Sequence, residues 1–541
     1  MLRQFISRSA REFFKGFKQK CGNLRYSTES FAQEPSTARA LVPKKSRWFR
    51  RTLVCAVFAG VGIWVTDMWI NDDFDSVYEY WRKRLPMEER INRPKVVIIG
   101  SGWGGMSVLR KLHTDKYNVT MVSPNNYFLF TPLLASTTSG LLEERSILES
   151  VRRYCNKEGK DEVRFVEMEV TEVDPVGQKV ICEDKSRVRG KVSKIELEYD
   201  YLVMAPGAKP ATFNIPGVEE NAICMKTIAD SRNIRDRVID CFETASIPGQ
   251  SPDEISRLLH FVVVGGGPSG VEYTAELHDF VKNDLKKTYP DVSSNVRISL
   301  VEALPKILPM FDSMLIDYVE KRFREKLNID VWTKYMVNRI EERSMVVKKQ
   351  DTGEVISIPF GMLVWVTGNS PRSITLDLIE KLGPSFQPTR RGLNIDDHLR
   401  VVGTTNIFSI GDCTFRPGYP ATAQVASQQG YYLARLFNQY ANFLAEQRVS
   451  HPDQSTGNAD VFSSVLGEHN KFIFKSLGSL AYIGENSAIA DLGSKGKSKG
   501  FATWILWRSV YLSKLLSLRN RISVLSDWCK VTLFGRDVSR G

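Results

Sequence analysis

The sequence predicts an α/β protein with two Rossmann-type dinucleotide-binding domains followed by a C-terminal, membrane-binding helical domain. Three observations predict it. A strand, a glycine-rich turn and a helix follow one another from residue 95 and again from residue 260. Two apolar strands, at 201 to 207 and 362 to 368, each stop at a glycine. The last part of the chain, 494 to 541, combines aromatic residues with a net charge of +8.

Length and composition bound this reading. The chain has 541 residues, 42% hydrophobic and 25% charged, with Lys+Arg 74 against Asp+Glu 62 and a net charge of +12. That suits two or three folded domains and excludes a mainly disordered chain. The mean hydropathy of -0.23 excludes a polytopic membrane protein. Residues 1 to 51 carry +10 and residues 494 to 541 carry +8, so the stretch between them is mildly acidic at −6. No basic stripe with interleaved aromatics crosses the body, so no nucleic-acid partner is expected.

Residues 1 to 27 read as a mitochondrial presequence. Leu2, Phe5, Ile6, Phe13, Phe14 and Phe17 fall on one side of a helix, Arg and Lys fill the rest, and Glu12 is the only acid before Glu29. A basic linker follows at 28 to 51. Residues 52 to 70 contain a single charge, Asp67, and are long enough for one transmembrane helix. Basic residues on one flank and Asp72, Asp73 and Asp75 on the other put the body on the intermembrane-space side of the inner membrane if positive charge stays inside. The eight Cys and six His show no metal-ligand spacing, so neither a zinc site, a disulfide framework nor an iron–sulfur cluster is expected.

The first fingerprint follows the strand KVVII at 95 to 99. Gly100 makes the tight turn, Gly102 lets backbone approach a pyrophosphate, and Gly105 lets the helix pack on the strand. After the second strand, 119 to 122, the position expected to hold a ribose-binding acid reads Ser123-Pro124-Asn125. The second fingerprint, Gly265, Gly267 and Gly270, follows HFVVV at 260 to 264, and here the next strand ends in Glu302. A carboxylate there accepts from a ribose 2′-OH and repels a 2′-phosphate, which selects NADH over NADPH. Two fingerprints in one chain suit a flavin and a nicotinamide. Asp412, after the short strand at 405 to 410, is placed to hold the ribityl hydroxyls of FAD. The expected boundaries are 94–255 and 373–447 for the two parts of the FAD domain, 256–372 for the NADH domain, and 448–541 for the membrane-binding domain.

With these motifs in view, the chain resembles the mitochondrial type II (alternative, rotenone-insensitive, non-pumping) NADH:ubiquinone oxidoreductases. GSGWGGMSVLRKL, SPNNYFLFTPLLAS, VVVGGGPSGVEYTAEL, LVEALPKILPMFD, IFSIGD, PATAQVASQQG and WRSVYLSKLLSLRNRISVLSDW carry the likeness in order over residues 94 to 541. The resemblance implies a glutathione-reductase-like flavoprotein fold, non-covalent FAD, NADH as substrate, and ubiquinone as acceptor in the inner mitochondrial membrane. It implies that Glu272 lies near the nicotinamide and that Trp103 and the 127 to 133 loop, which includes Thr131, wall the isoalloxazine. That loop has no Cys, unlike disulfide reductases and sulfide:quinone oxidoreductases.

The stretch from Ala423 to Gln428 resembles the AQxAxQ quinone motif of the family. Gln424 and Gln428, one helical turn apart, are the candidate quinone-binding amides. Ser427 stands where yeast-type relatives carry His, so the resemblance supplies no imidazole proton donor. Trp504, Trp507, Tyr511, Leu515, Leu518, Ile522, Leu525, Trp528 and Phe534, rimmed by Arg508, Lys514, Arg519 and Arg521, suit a headgroup-embedded face. The same helices could pack in the core or form the contact of an expected homodimer. No EF-hand loop occurs, so Ca²⁺ control is not expected. The competing readings are an apoptosis-inducing-factor-like flavoprotein with a signalling or scaffold role, and a cysteine-based sulfide:quinone oxidoreductase, for which Cys155 and Cys413 are the one imaginable pair.

Overall fold

A computed structural model describes residues 93–155, 163–188, 190–450 and 471–540. The presequence, the basic linker and the transmembrane stretch lie outside the described residues. Among the described residues, no helix is long and apolar enough to cross a membrane.

After Lys95, β1 (Lys95–Ile99) is a run of β-branched residues with both faces covered, as a central parallel strand requires. It passes through the glycine turn into α1 (Trp103–Lys111) and pairs in parallel with β2 (Asn118–Ser123). The short helix α2 (Leu134–Thr138) follows. β3 (Val163–Glu167) extends the sheet beyond β2. An antiparallel meander, Glu169–Asp174, Lys179–Glu183 and Lys194–Glu198, then leads to β4 (Tyr201–Met204), which returns beside β1. After Gly207, at φ 70°, the chain crosses through β5 (Ala208–Pro210).

The second sheet repeats this plan. β6 (Ile223–Cys224) and the capped helix α3 (Ile228–Ala245) come first, so the sheet begins ahead of residue 256, where the sequence placed the boundary. β7 (His260–Val264) is central, followed by α4 (Pro268–Phe280), β8 (Arg297–Glu302) and β9 (Asp330–Thr333). A second three-stranded meander, within residues 335 to 359, leads to β10 (Met362–Trp365) beside β7. Gly368, at φ 68°, starts the return, and β11 (Asn369–Pro371) pairs antiparallel with β5. The two glycine-terminated strands therefore lead into crossings that run side by side.

β12 (Ile407–Ser409) then rejoins the first sheet, giving the order β12-β4-β1-β2-β3, against β6-β10-β7-β8-β9 in the second. α5 (Ala423–Ser450) crosses α1 closely: a Cβ on Gly430 would lie 2.7 Å from the Gly104 carbonyl oxygen, so only glycine allows the approach.

The C-terminal part adds a feature that the sequence reading did not contain. A small antiparallel sheet, β13 (Ser479–Tyr482), β14 (Ala488–Asp491) and β15 (Lys497–Gly500), precedes α6 (Phe501–Lys514) and α7 (Leu518–Phe534). The expected apolar face divides. Trp507, Leu515 and Trp528 are buried against the body, whereas Phe501, Leu518, Ile522, Leu533 and Phe534 are exposed. Trp507, Leu515 and Trp528 thus belong to the core, because the helices lie on the α/β body and both sides of each carry apolar residues.

Candidate active site

The two glycine turns have the same geometry. A Cβ on Gly100 would meet the Ala205 carbonyl oxygen at 2.2 Å, and one on Gly265 the Val366 carbonyl oxygen at 2.6 Å; both residues have positive φ, at +101° and +117°. A Cβ on Gly105 would lie 2.0 Å from the Gly100 oxygen, and one on Gly270 would lie 1.9 Å from the Gly265 oxygen, so helix and turn touch backbone to backbone. Gly102 and Gly267 differ from these. Among the described residues nothing comes within 4 Å of a Cβ at either, and neither helix start has a side-chain cap. Each helix therefore presents bare N–H groups at its positive end beside a space shaped for an anion. The cradles fit the pyrophosphates of FAD and NADH.

The strand ends distinguish the two. By register, Ser123 follows Val122 beside Ile99, while Glu302 follows Val301 beside Val264. The Glu302 carboxylate accepts from Gly266 N–H at 2.6 Å and from Leu304 N–H at 2.8 Å, which fixes it at the lip of the second turn. At the first turn, the Ser123 and Ser101 hydroxyls pair at 2.9 Å and no acid is present.

Around the first cradle, Trp103 opens α1 and its indole N–H donates to Thr131 Oγ1 at 3.0 Å. The ring packs on Phe128 and Phe130 at centroid distances of 5.1 and 5.3 Å, so Trp103, Thr131 and the 127 to 133 loop form one wall. Asp412 follows β12 in a single helical turn, and burial pushes its carboxyl up while Lys226 Nζ, 3.8 Å away, opposes that. Lys226 also donates to Asn369 Oδ1 at 3.0 Å. Gln429, fully buried, accepts from Gly411 N–H at 2.7 Å, and its Nε2 has no hydrogen-bond partner among the described residues. A buried amide without a partner beside Asp412 suits a polar group of a bound cofactor. Cys413 is buried, and burial pushes its thiol up to about 11, a state unsuited to a redox thiolate.

Gln424 and Gln428 lie on one face of α5 as their spacing requires, but their amides are engaged. Gln424 donates to Gly478 O at 2.8 Å and accepts from Leu477 N–H at 3.1 Å. Gln428 donates to Lys475 O at 2.8 Å and accepts from Lys475 N–H at 3.1 Å. Free amides facing a quinone were expected. Here the pair acts as a clamp on the segment leading to β13.

Glu272 lies on α4, five residues after Gly267, and is buried. Its Oε1 accepts from Tyr482 N–H and from the Trp507 indole N–H, each at 3.2 Å. Burial pushes its carboxyl up to about 8, with the two donors opposing. The helix that begins at the second cradle therefore faces the C-terminal domain. An aromatic series, Tyr482, Trp507, Tyr511, Phe130 and Trp103, runs between that contact and the first cradle with centroid distances of 5.7, 4.9, 6.3 and 5.3 Å. Sequence reasoning missed Lys226, Gln429, Tyr482 and the inward role of Trp507. Lys226 and Tyr482 lie in none of the motifs above, Gln429 and Trp507 lie inside two of them without their partners being legible there, and only the three-dimensional pairing of distant segments reveals these contacts.

Two dinucleotide cradles, one with a ribose acid, beside an aromatic wall without cysteine define a two-dinucleotide flavoprotein oxidoreductase. The pyridine nucleotide-disulphide oxidoreductase family matches residues 94–430, and the NDH2 C-terminal domain matches residues 476–537. The chain is 41% identical over 476 residues to an external alternative NADH-ubiquinone oxidoreductase of Yarrowia lipolytica, covering 83% of this chain and 81% of that one. It is 43% identical over 461 residues to external NADH-ubiquinone oxidoreductase 2 of Saccharomyces cerevisiae, covering 83% of each. The structure of NDH2 from Plasmodium falciparum in complex with NADH superimposes with a TM-score of 0.73 at 30% identity, covering 83% of this chain and all of that one. A sulfide:quinone oxidoreductase from Aquifex aeolicus, at 18% identity and TM-score 0.59, shares the fold alone. The chain belongs to the mitochondrial type II NADH-ubiquinone oxidoreductase (NDH2) family.

Proposed function

We propose that this chain passes hydride from NADH to bound FAD and two electrons on to ubiquinone at the inner mitochondrial membrane, without pumping protons. The observation that carries this reading is the duplicated cradle: Gly102 and Gly267 both leave room for a pyrophosphate, and only the second turn carries the acid, Glu302. FAD, when bound, supplies the two-electron chemistry linking a hydride donor to a quinone.

The chain's own residues bind and orient. The α1 start, Asp412 and Gln429 hold one dinucleotide, with Trp103 and Thr131 forming a wall beside it. The α4 start holds the other, with Glu302 on its ribose. Glu272 keeps a proton at neutral pH, since its carboxyl is pushed up to about 8. Both of its donors reach Oε1, so the proton sits on Oε2. Gln424 and Gln428 hold the 475 to 478 segment as one wall of the quinone entrance. Phe501, Leu518, Ile522, Leu533 and Phe534 supply apolar surface for the headgroup region.

Purified protein should oxidise NADH with a short-tailed quinone over many turnovers. Slow flavin reduction without quinone turnover would favour the scaffold reading instead, and sulfide-dependent quinone reduction would favour the cysteine-based one. The body faces the intermembrane space, in keeping with the charge asymmetry around residues 52 to 70 and with the "external" relatives. Protease added to intact mitoplasts should abolish NADH oxidation, and survival of that activity would reverse the orientation. The chain is also proposed to form a homodimer, which light scattering in detergent tests.

A further inference from the structure

The end of the chain is anchored at a site the sequence motifs do not mark. After α7, Gly535 (φ +83°) turns the chain so that Arg536 enters a buried acidic pocket. Its Nη2 lies 3.1 Å from Glu276 Oε2 and its Nη1 lies 3.4 Å from Asp284 Oδ2, and its backbone N–H donates to Asp284 Oδ1 at 3.1 Å. The Arg536 and Glu276 side chains are 5% and 2% exposed, so this is a desolvated pair and not a surface contact. A π-turn, Val281–Leu285, follows α4 and carries Asp284 to the same guanidinium.

Glu276 joins three parts of the molecule. It sits one turn after Glu272 on α4, on the same face. From the flavin-side segment, the Ser136 hydroxyl donates to its Oε1 at 3.0 Å and the Ser139 hydroxyl to its Oε2 at 3.1 Å. Burial pushes the carboxyl up and Arg536 opposes it, so removing Arg536 takes away the ion-pair partner of a buried acid in the junction. One turn further on, Asp279 accepts from the Tyr482 hydroxyl and from Glu485 N–H. α4 thus grips the C-terminal domain at two places, with the Glu272 contact to Trp507 and Tyr482 beside them.

We infer that Arg536 is a positioning residue for quinone reduction: its pair with Glu276 locks the C-terminal helices, and with them Trp507 and Tyr482, against the helix that starts at the NADH cradle. This rests on the oxidoreductase reading above. It places control of the quinone step in the last residues of the chain, away from both cradles.

The test uses full-length holoenzyme and compares Arg536→Ala, Arg536→Lys, Glu276→Gln and Arg540→Ala with the unaltered chain. Two acceptors are measured: ferricyanide, which takes electrons from flavin through water, and a short-tailed quinone. For Arg536→Ala, FAD content and NADH:ferricyanide turnover should persist, while the KM for quinone rises about tenfold, within the span by which remote residues alter coupling. Arg536→Lys should recover part of this loss, since it restores the charge but not the two-pronged geometry. Arg540→Ala, which cuts only the exposed pair to Asp240, should behave as the unaltered chain. Quinone kinetics within twofold of the unaltered chain, or a parallel loss with both acceptors, would overturn the inference. If Arg536→Ala yields no folded protein, Glu276→Gln decides by the same criteria. Failure of the unaltered chain to reduce quinone with NADH would instead overturn the oxidoreductase reading and this inference with it.

Discussion

Substituting Gly267 by Ala separates the second cradle from everything else. Gly267 has φ −71° and ψ 178°, a conformation that Ala adopts without strain, and among the described residues its added methyl touches nothing. Stability should therefore stay within about 1 kcal/mol of the unaltered chain, with any change toward greater stability through the less flexible unfolded chain. The methyl instead fills the space through which a pyrophosphate reaches the α4 N–H groups. A charge-assisted hydrogen bond is worth about 1.5–3 kcal/mol, so losing one raises the KM for NADH by roughly 10- to 150-fold. The assay is anaerobic stopped-flow reduction of the bound flavin against NADH concentration, with flavin content and thermal midpoint measured alongside. Gly270→Ala is the contrast. Its Cβ would lie 1.9 Å from the Gly265 oxygen, so α4 must move at about 3 kcal/mol or more of stability. A Gly267→Ala protein that keeps its NADH affinity within twofold, or that loses FAD together with NADH, would refute the reading of two separate cradles.

Changing Gln424 and Gln428 together to Ala removes four hydrogen bonds to the 475 to 478 segment, about 2–6 kcal/mol in total. Quinone reduction should fall and limited proteolysis should open that segment, while flavin reduction by NADH survives; unaltered quinone kinetics would remove the clamp from the mechanism. Glu272 supplies a pH signature. Its folded carboxyl, at about 8, lies above the ordinary value of 4.5, so its contribution to stability is whole below about pH 4.5 and is lost as pH rises toward 8, at about 1.4 kcal/mol per unit inside that window. Glu272→Gln should accordingly be more stable than the unaltered chain at pH 8, with the gain vanishing near pH 4.5. Denaturation curves measured across that range decide it, and a gain independent of pH would contradict the buried acid.

What the sequence made legible followed from local rules. Gly100, Gly105, Gly265 and Gly270 are positions where chain geometry admits little else, and at Gly102 and Gly267 the missing side chain leaves room for a ligand, so their roles could be assigned before any coordinates. Glu302 was legible for the same reason, since it ends the strand beside the fingerprint strand. The strands ending at Gly207 and Gly368 were visible as apolar runs that stop, and the structure adds that the segments after them pair. The C-terminal region was harder. Its two helices are apolar on both sides, and periodicity alone did not show that Trp507 and Trp528 turn toward the body while Leu518 and Ile522 turn outward. The amides of Gln424 and Gln428 were placed on the correct face, but their partners come from residues 475 to 478, a pairing that no spacing rule encodes. Lys226, Glu276 and Arg536 meet partners more than 100 residues away, and a single chain offers no signal for such a meeting.

The central claim is that both cradles are filled in turn and that electrons cross between their occupants and on to a quinone. An anaerobic titration of the purified yellow protein examines it most directly. The account predicts that NADH bleaches the flavin absorbance stoichiometrically and that a short-tailed quinone, added next, restores it. Flavin that stays oxidised in the presence of NADH, or that stays bleached after the quinone is added, would contradict it.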